Sequence, residues 1–206
     1  MTYNLINILP TWVMELEFPD PGSFIPYFDD LTYRDLNSFV SHETDILDRE
    51  PFTSIRELIL EHLQIIINEC GYEGDVGSRI TQSWAIKATG GNNTPPHVHP
   101  NSQFSGVCYF NDSPHALVLC REDMWYDDKM PIRVFDCINE HLFFQNTHNQ
   151  FRYEPRAGKI LIFPSTMKHY VEMIPREVTE TRYSLAFNTF LTGKVLTDST
   201  LASIIL

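Results

Sequence analysis

Between residues 54 and 70 the apolar positions Ile55, Leu58, Ile59, Leu63 and Ile66 recur at helical spacing, and from residue 80 onward the period falls to two. Ser54 with Glu57 has the form of a capping box and Gly71 supplies a stop, so the first pattern predicts a helix over 54–70. A second, poorer helical candidate lies at 31–41. Ahead of both, Pro19, Asp20, Pro21 and Gly22 predict a turn. In the second half, alternation predicts strands over 80–88, 104–110, 116–119, 132–135, 159–163, 170–173 and 183–190. Turn signals at Gly90-Gly91-Asn92-Asn93, Asn111-Asp112-Ser113-Pro114 and Arg156-Ala157-Gly158 separate them. Short strands following helices predict a mainly β chain, a sandwich or jelly roll with N-terminal helices packed outside.

Composition narrows the function classes. With 206 residues, 43% of them hydrophobic, the chain can bury a full core as one domain: support over 1–78, β core over 79–192 and a tail over 193–206. A net charge of -12 without clustered Lys or Arg argues against nucleic acid. The first basic residue is Arg34, and no apolar run approaches the roughly 20 residues of a span, so a cytoplasmic chain without membrane contact is expected. Cys70, Cys108, Cys120 and Cys137 show no CxxC pairing and read as buried free thiols.

The candidate chemistry begins at His97-Val98-His99. Side chains two apart on an extended strand leave one face, and Pro95, Pro96 and Pro100 disfavour helix there. By itself the pair is a weak signal, and a proline-framed loop that binds nothing would look the same. A third histidine, His169, and then Arg182-Tyr183-Ser184 raise it to a candidate redox-metal site with an arginine suited to a dicarboxylate. His42, His62, His115, His141 and His148 read as structural or solvent-facing. Asp112 and Asp136 are the nearby carboxylates that might stand in for His99, and neither is well placed.

The motif PHVHPNSQFSGVCYF at 96–110 resembles the HxHPxSxxSGVYYL signature of bacterial and cyanophage 2-oxoglutarate/Fe(II)-dependent oxygenases. GKILIFPS at 158–165, then His169, then RYSLAFN at 182–188, is similar to that family's GxLxLFPS…H…RxSxSFN pattern. The resemblance spans roughly residues 80–190 in order. It implies a double-stranded β-helix with His97, His99 and His169 as Fe(II) ligands and catalytic centre. His99 stands where the wider superfamily has a carboxylate, as it does in this nearest family. The resemblance further implies that Arg182 and Ser184 hold the distal carboxylate of 2-oxoglutarate, with Tyr109 lining the cosubstrate pocket. Dioxygen is then the co-reactant, and succinate and carbon dioxide are products.

Hydroxylation of a small molecule or peptide is the default outcome under this reading. Two alternatives stay open: a three-histidine, cupin-type dioxygenase that does not use 2-oxoglutarate, and a non-catalytic β-sandwich binding module. The aromatic insert between Cys120 and Gln150 is expected to form a rim or lid. Ile204, Ile205 and Leu206 are expected to complete a sheet or to meet a partner chain, which leaves a homodimer open.

Overall fold

The computed structural model describes residues 12–72, 74–120, 150–195 and 204–206. Two antiparallel sheets face each other in a jelly roll. The larger runs β1(Met14–Glu17), β9(Lys159–Pro164), β6(Phe104–Tyr109), β11(Arg182–Val195), β4(Gly74–Ala88), β3(Phe39–Ser41), β2(Tyr33–Asp35), with β12(Ile204–Ile205) also on β11. The smaller runs β5(Thr94–His97), β10(Lys168–Val171), β7(Leu117–Cys120), β8(Gln150–Tyr153). The long strands β4 and β11 pair along almost their whole length, and they are the spine on which the site is built.

Among the described residues the α-helix α1(Thr53–Glu69) packs on the outer face of the larger sheet. Ile55, Ile59, Leu63, Ile66 and Ile67 form its buried stripe, as the apolar spacing predicts. The aromatic rings of Phe18, Phe24, Phe28, Phe52 and Phe110 fill the rest of that layer, edge-on or tilted to one another at about 5 to 6 Å. A second, smaller core lies between the sheets, where Tyr109, Leu117, Leu119, Leu161, Phe163 and Met167 meet. The main core and the site therefore occupy opposite faces of the larger sheet, and the smaller core shares the site's face.

Several expectations need correction. The predicted helix over 31–41 is a hairpin, β2 with β3, turned by Asn37 at φ 64. Pairing with β4 overrides local propensity there, since Val40 sits opposite Ile86. The helix over 54–70 forms but without its capping box: Phe52 is the N-cap, with no side-chain cap, while Thr53 donates its hydroxyl to Glu50. Gly71, at φ 73, ends it as expected. The turn at residues 19–22 leads into a 3-10 helix, Pro21–Phe28. Support over 1–78 is not purely helical, because β1, β2, β3 and the start of β4 lie within it. Cys108 is buried, whereas Cys70 is exposed. Strand 132–135, Cys137 and the insert fall at residues 121–149, outside the described residues. No described helix is long and apolar enough to cross a membrane.

Candidate metal centre

Strand register brings the first two histidines together. His97 ends β5 and His169 lies on β10, and the two are direct partners of that antiparallel pair with ring centroids 4.2 Å apart. His99 lies beyond the end of β5, so the expectation of one strand presenting both histidines holds only for His97. Its place is set by the backbone, where its N–H donates to Ser165 O at 3.1 Å.

His99 Nε2 faces His169 Nε2 at 3.1 Å, and the ligand nitrogens of all three histidines lie within 4.8 Å of one another. Two imidazole nitrogens bound at right angles to one ion with bonds of about 2.1 Å stand about 3 Å apart. His169 Nδ1–H donates to Met167 O and His97 Nδ1–H to Pro95 O, each at 2.9 Å. Those bonds fix the tautomer that leaves the Nε2 lone pair free for a metal. Burial, reinforced by the neighbouring imidazoles, lowers His99 to about 3. Burial likewise lowers His169 to about 4, against the pull of the Met167 carbonyl. Both rings are neutral at neutral pH, so a cation displaces no proton from them. The residues present fit a divalent transition metal.

A hydroxyl network holds the loop that carries His99. Ser165 Oγ donates to Ser102 Oγ at 2.7 Å and lies 2.8 Å from Ser105 Oγ, which donates to Asn188 Oδ1 at 2.8 Å. Ser102 Oγ also reaches Thr189 O, and Gln103 N–H donates to the same carbonyl. Strands β6 and β11, and the residue that follows β9, are thereby tied to one loop. Satisfied buried polar networks of this kind specify a single local geometry.

On the opposite wall of the same cavity, of about 800 Å³, Arg182 is 5% exposed. Its side chain forms no ion pair or hydrogen bond with any described residue, and its buried Nε has no acceptor. Burial pulls its pKa below the ordinary arginine value. An unpaired buried guanidinium costs free energy that an incoming carboxylate would recover. Ser184 follows two residues later on the same face, with Tyr109 as its cross-strand partner on β6. Both line the cavity with Arg182.

The remaining histidines do not join the cluster. His62 Nδ1–H donates to Leu58 O within α1. His42 and His115 lie elsewhere, and His141, His148 and Asp136 fall outside the described residues. Asp112 accepts the Ala157 N–H in a turn and is no ligand. Sequence reasoning missed Trp84, whose ring lies 5.9 Å from that of His99, and Arg34 and Val40 on the cavity rim. Alternation along β4 was a usable signal for Trp84. Nothing in the sequence marked the hairpin residues, whose place depends on strand pairing.

A family model described as "Putative 2OG-Fe(II) oxygenase" matches residues 82–188, just over half of the chain. No curated protein matches the sequence significantly. Among solved structures, HygX from Streptomyces hygroscopicus with nickel, 2-oxoglutarate and hygromycin B bound is 13% identical, with a TM-score of 0.58 over 87% of this chain and 82% of that one. A prolyl hydroxylase in complex with a hypoxia inducible factor peptide, from Trichoplax adhaerens, is also 13% identical, with a TM-score of 0.55 over 86% and 83%. SnoN, the alpha ketoglutarate dependent epimerase of nogalamycin biosynthesis, is 8% identical, with a TM-score of 0.56 over 93% and 83%. At such identities these likenesses concern the fold, and they agree on a jelly roll.

Proposed function

From the premise that this chain belongs to the 2OG-Fe(II) oxygenase family, we propose that His97, His99 and His169 hold its iron and that Arg182, Ser184 and Tyr109 hold its 2-oxoglutarate. The observation that carries this reading is the pairing, in one cavity, of three convergent imidazoles with a buried and unpartnered arginine. When bound, the iron with 2-oxoglutarate and dioxygen supplies the oxidising chemistry, and the cosubstrate leaves as succinate and carbon dioxide.

The protein's own contribution is orientation and electrostatics. Met167 and Pro95 carbonyls hold two ligand tautomers, and the Ser165 carbonyl holds His99 by its backbone. Arg182 presents a planar cationic fork to the distal carboxylate, and the Ser184 hydroxyl donates beside it. Tyr109, itself buried, lines that end of the cavity beside Ser184. Trp84 walls the ligand side next to His99. The reaction assigned is hydroxylation of a C–H bond in a small molecule or peptide. Arg182 favours this reading over a dioxygenase that binds its substrate to iron without 2-oxoglutarate, because such an enzyme would leave that buried cation unmatched.

Aerobic incubation of the Fe(II) protein with 2-oxoglutarate, with succinate as the readout, tests the assignment. Slow succinate formation without added substrate is expected, lost in His169→Ala. Iron bound at the site with no succinate formed would contradict it.

A further inference from the structure

One cross-strand rung runs along the cavity from its rim: Arg34 pairs with Val40, Val40 with Ile86, Ile86 with Ser184, and Ser184 with Tyr109. All five side chains line the cavity. The rung is polar at both ends and apolar between. At one end stand Ser184 and Tyr109, already assigned to the cosubstrate. At the other stands Arg34, three strand spacings or about 14 Å from the β11 backbone.

The Arg34 side chain is exposed at the cavity edge and forms no hydrogen bond or ion pair among the described residues. Its neighbours on the hairpin are pinned. Lys87 pairs with Asp29 at 2.6 Å and lies over the Tyr33 ring, the Tyr33 hydroxyl donates to Phe28 O, and Asn93 N–H donates to Asn37 O. The guanidinium is therefore carried by an anchored element, not a loose loop. The charged described residues on the cavity wall, histidines aside, are Arg34 and Arg182, and no carboxylate among the described residues lines it. The described lining is therefore of positive sign, which disfavours cations and draws in anions.

We infer that Arg34 is the residue that recognises the primary substrate, a small amphipathic molecule whose anionic end, a carboxylate or phosphate, meets this guanidinium. Its apolar body lies across Val40, Ile86 and Trp84, which directs the far end of the molecule toward the three histidines. The inference rests on the site assigned above, since it is Arg182 that leaves Arg34 free for a second anion.

Isothermal titration tests it on the anaerobic protein loaded with Fe(II) and 2-oxoglutarate. The probes are hexanoate, decanoate, phenylacetate and hexyl phosphate, each set against its neutral amide or alcohol. At least one acid is expected to bind about tenfold more tightly than its neutral counterpart. Arg34→Gln should erase that preference, and Arg34→Glu should shift it toward hexylamine, with 2-oxoglutarate affinity unchanged in both. A preference for the carboxylates alone or for the phosphate alone identifies the anion and supports the inference. Absence of any anion preference, or its survival in Arg34→Gln, overturns it. Should 2-oxoglutarate itself fail to bind the wild-type protein, the underlying site assignment falls first, and this inference with it.

Discussion

Arg182 illustrates how a single residue can be costly to the fold and useful to the site. Its guanidinium is 5% exposed, and its Nε lacks any acceptor. Buried cations normally occur with a partner, so an unpaired one signals a missing anion. Arg182→Ala is accordingly expected to leave metal binding unchanged and to weaken 2-oxoglutarate by about one to two orders of magnitude, measured by titration of the metal-loaded protein. Because the substitution removes an uncompensated charge, the melting temperature of the metal-free protein should not fall. An unchanged cosubstrate affinity would remove Arg182 from its assigned role. The same accounting distinguishes His99 from an ordinary buried histidine. Among the described residues its ring has no carboxylate neighbour to favour the charged form, and burial keeps it a neutral donor.

At the level of elements, the site depends on strands that interlock with almost no clearance. Gly106 of β6 faces Phe187 of β11 and the Leu161 carbonyl of β9; a Cβ there would stand 2.3 Å from Phe187 Cζ and 2.5 Å from Leu161 O. Gly106→Ala is expected to destabilise the chain by about 3 kcal/mol, read as a shift in denaturant midpoint at constant slope. A shift close to zero would mean that β6 does not sit as tightly between its neighbours as described. Elements also decide what was legible beforehand. The α1 stripe and the long alternation of β4 and β11 carry their own periodicity, so the helix and the spine follow from the pattern of residues. Hairpin residues 33–41 carry none, since three-residue strands gain stability only from pairing with β4. Short β1 and β8 escape for the same reason. Of the candidate site, His97, His99, His169, Arg182, Ser184 and Tyr109 stand in the sequence motifs and share the cavity. Arg34 and Trp84 gain meaning only once distant strands are laid side by side.

At the scale of the whole molecule, the described part of the cavity is lined by arginines and imidazoles and by no carboxylate, in a chain of net charge -12. The outer charges make their own small contribution to stability. The Arg152 guanidinium beside Glu172, with the Ala116 N–H, holds that carboxyl below its usual range despite partial burial. A depressed folded pKa contributes stability above the unfolded value of about 4.3, and that contribution is lost as pH falls through the folded value. The effect should be on the order of 1 kcal/mol or less, given that the pair is partly exposed. Glu172→Gln should therefore lower stability near pH 7 slightly and flatten the acid limb of a stability-against-pH curve. An acid limb identical to wild type would rule out this pair as its source. The central claim, that three histidines and Arg182 make one Fe(II) and 2-oxoglutarate site, is tested most directly by anaerobic titration of the Fe(II) protein with 2-oxoglutarate, followed by visible absorption. A metal-to-ligand charge-transfer band that saturates at one equivalent, and is absent in His169→Ala, is the predicted result; bound iron that develops no band at any 2-oxoglutarate concentration would contradict the account.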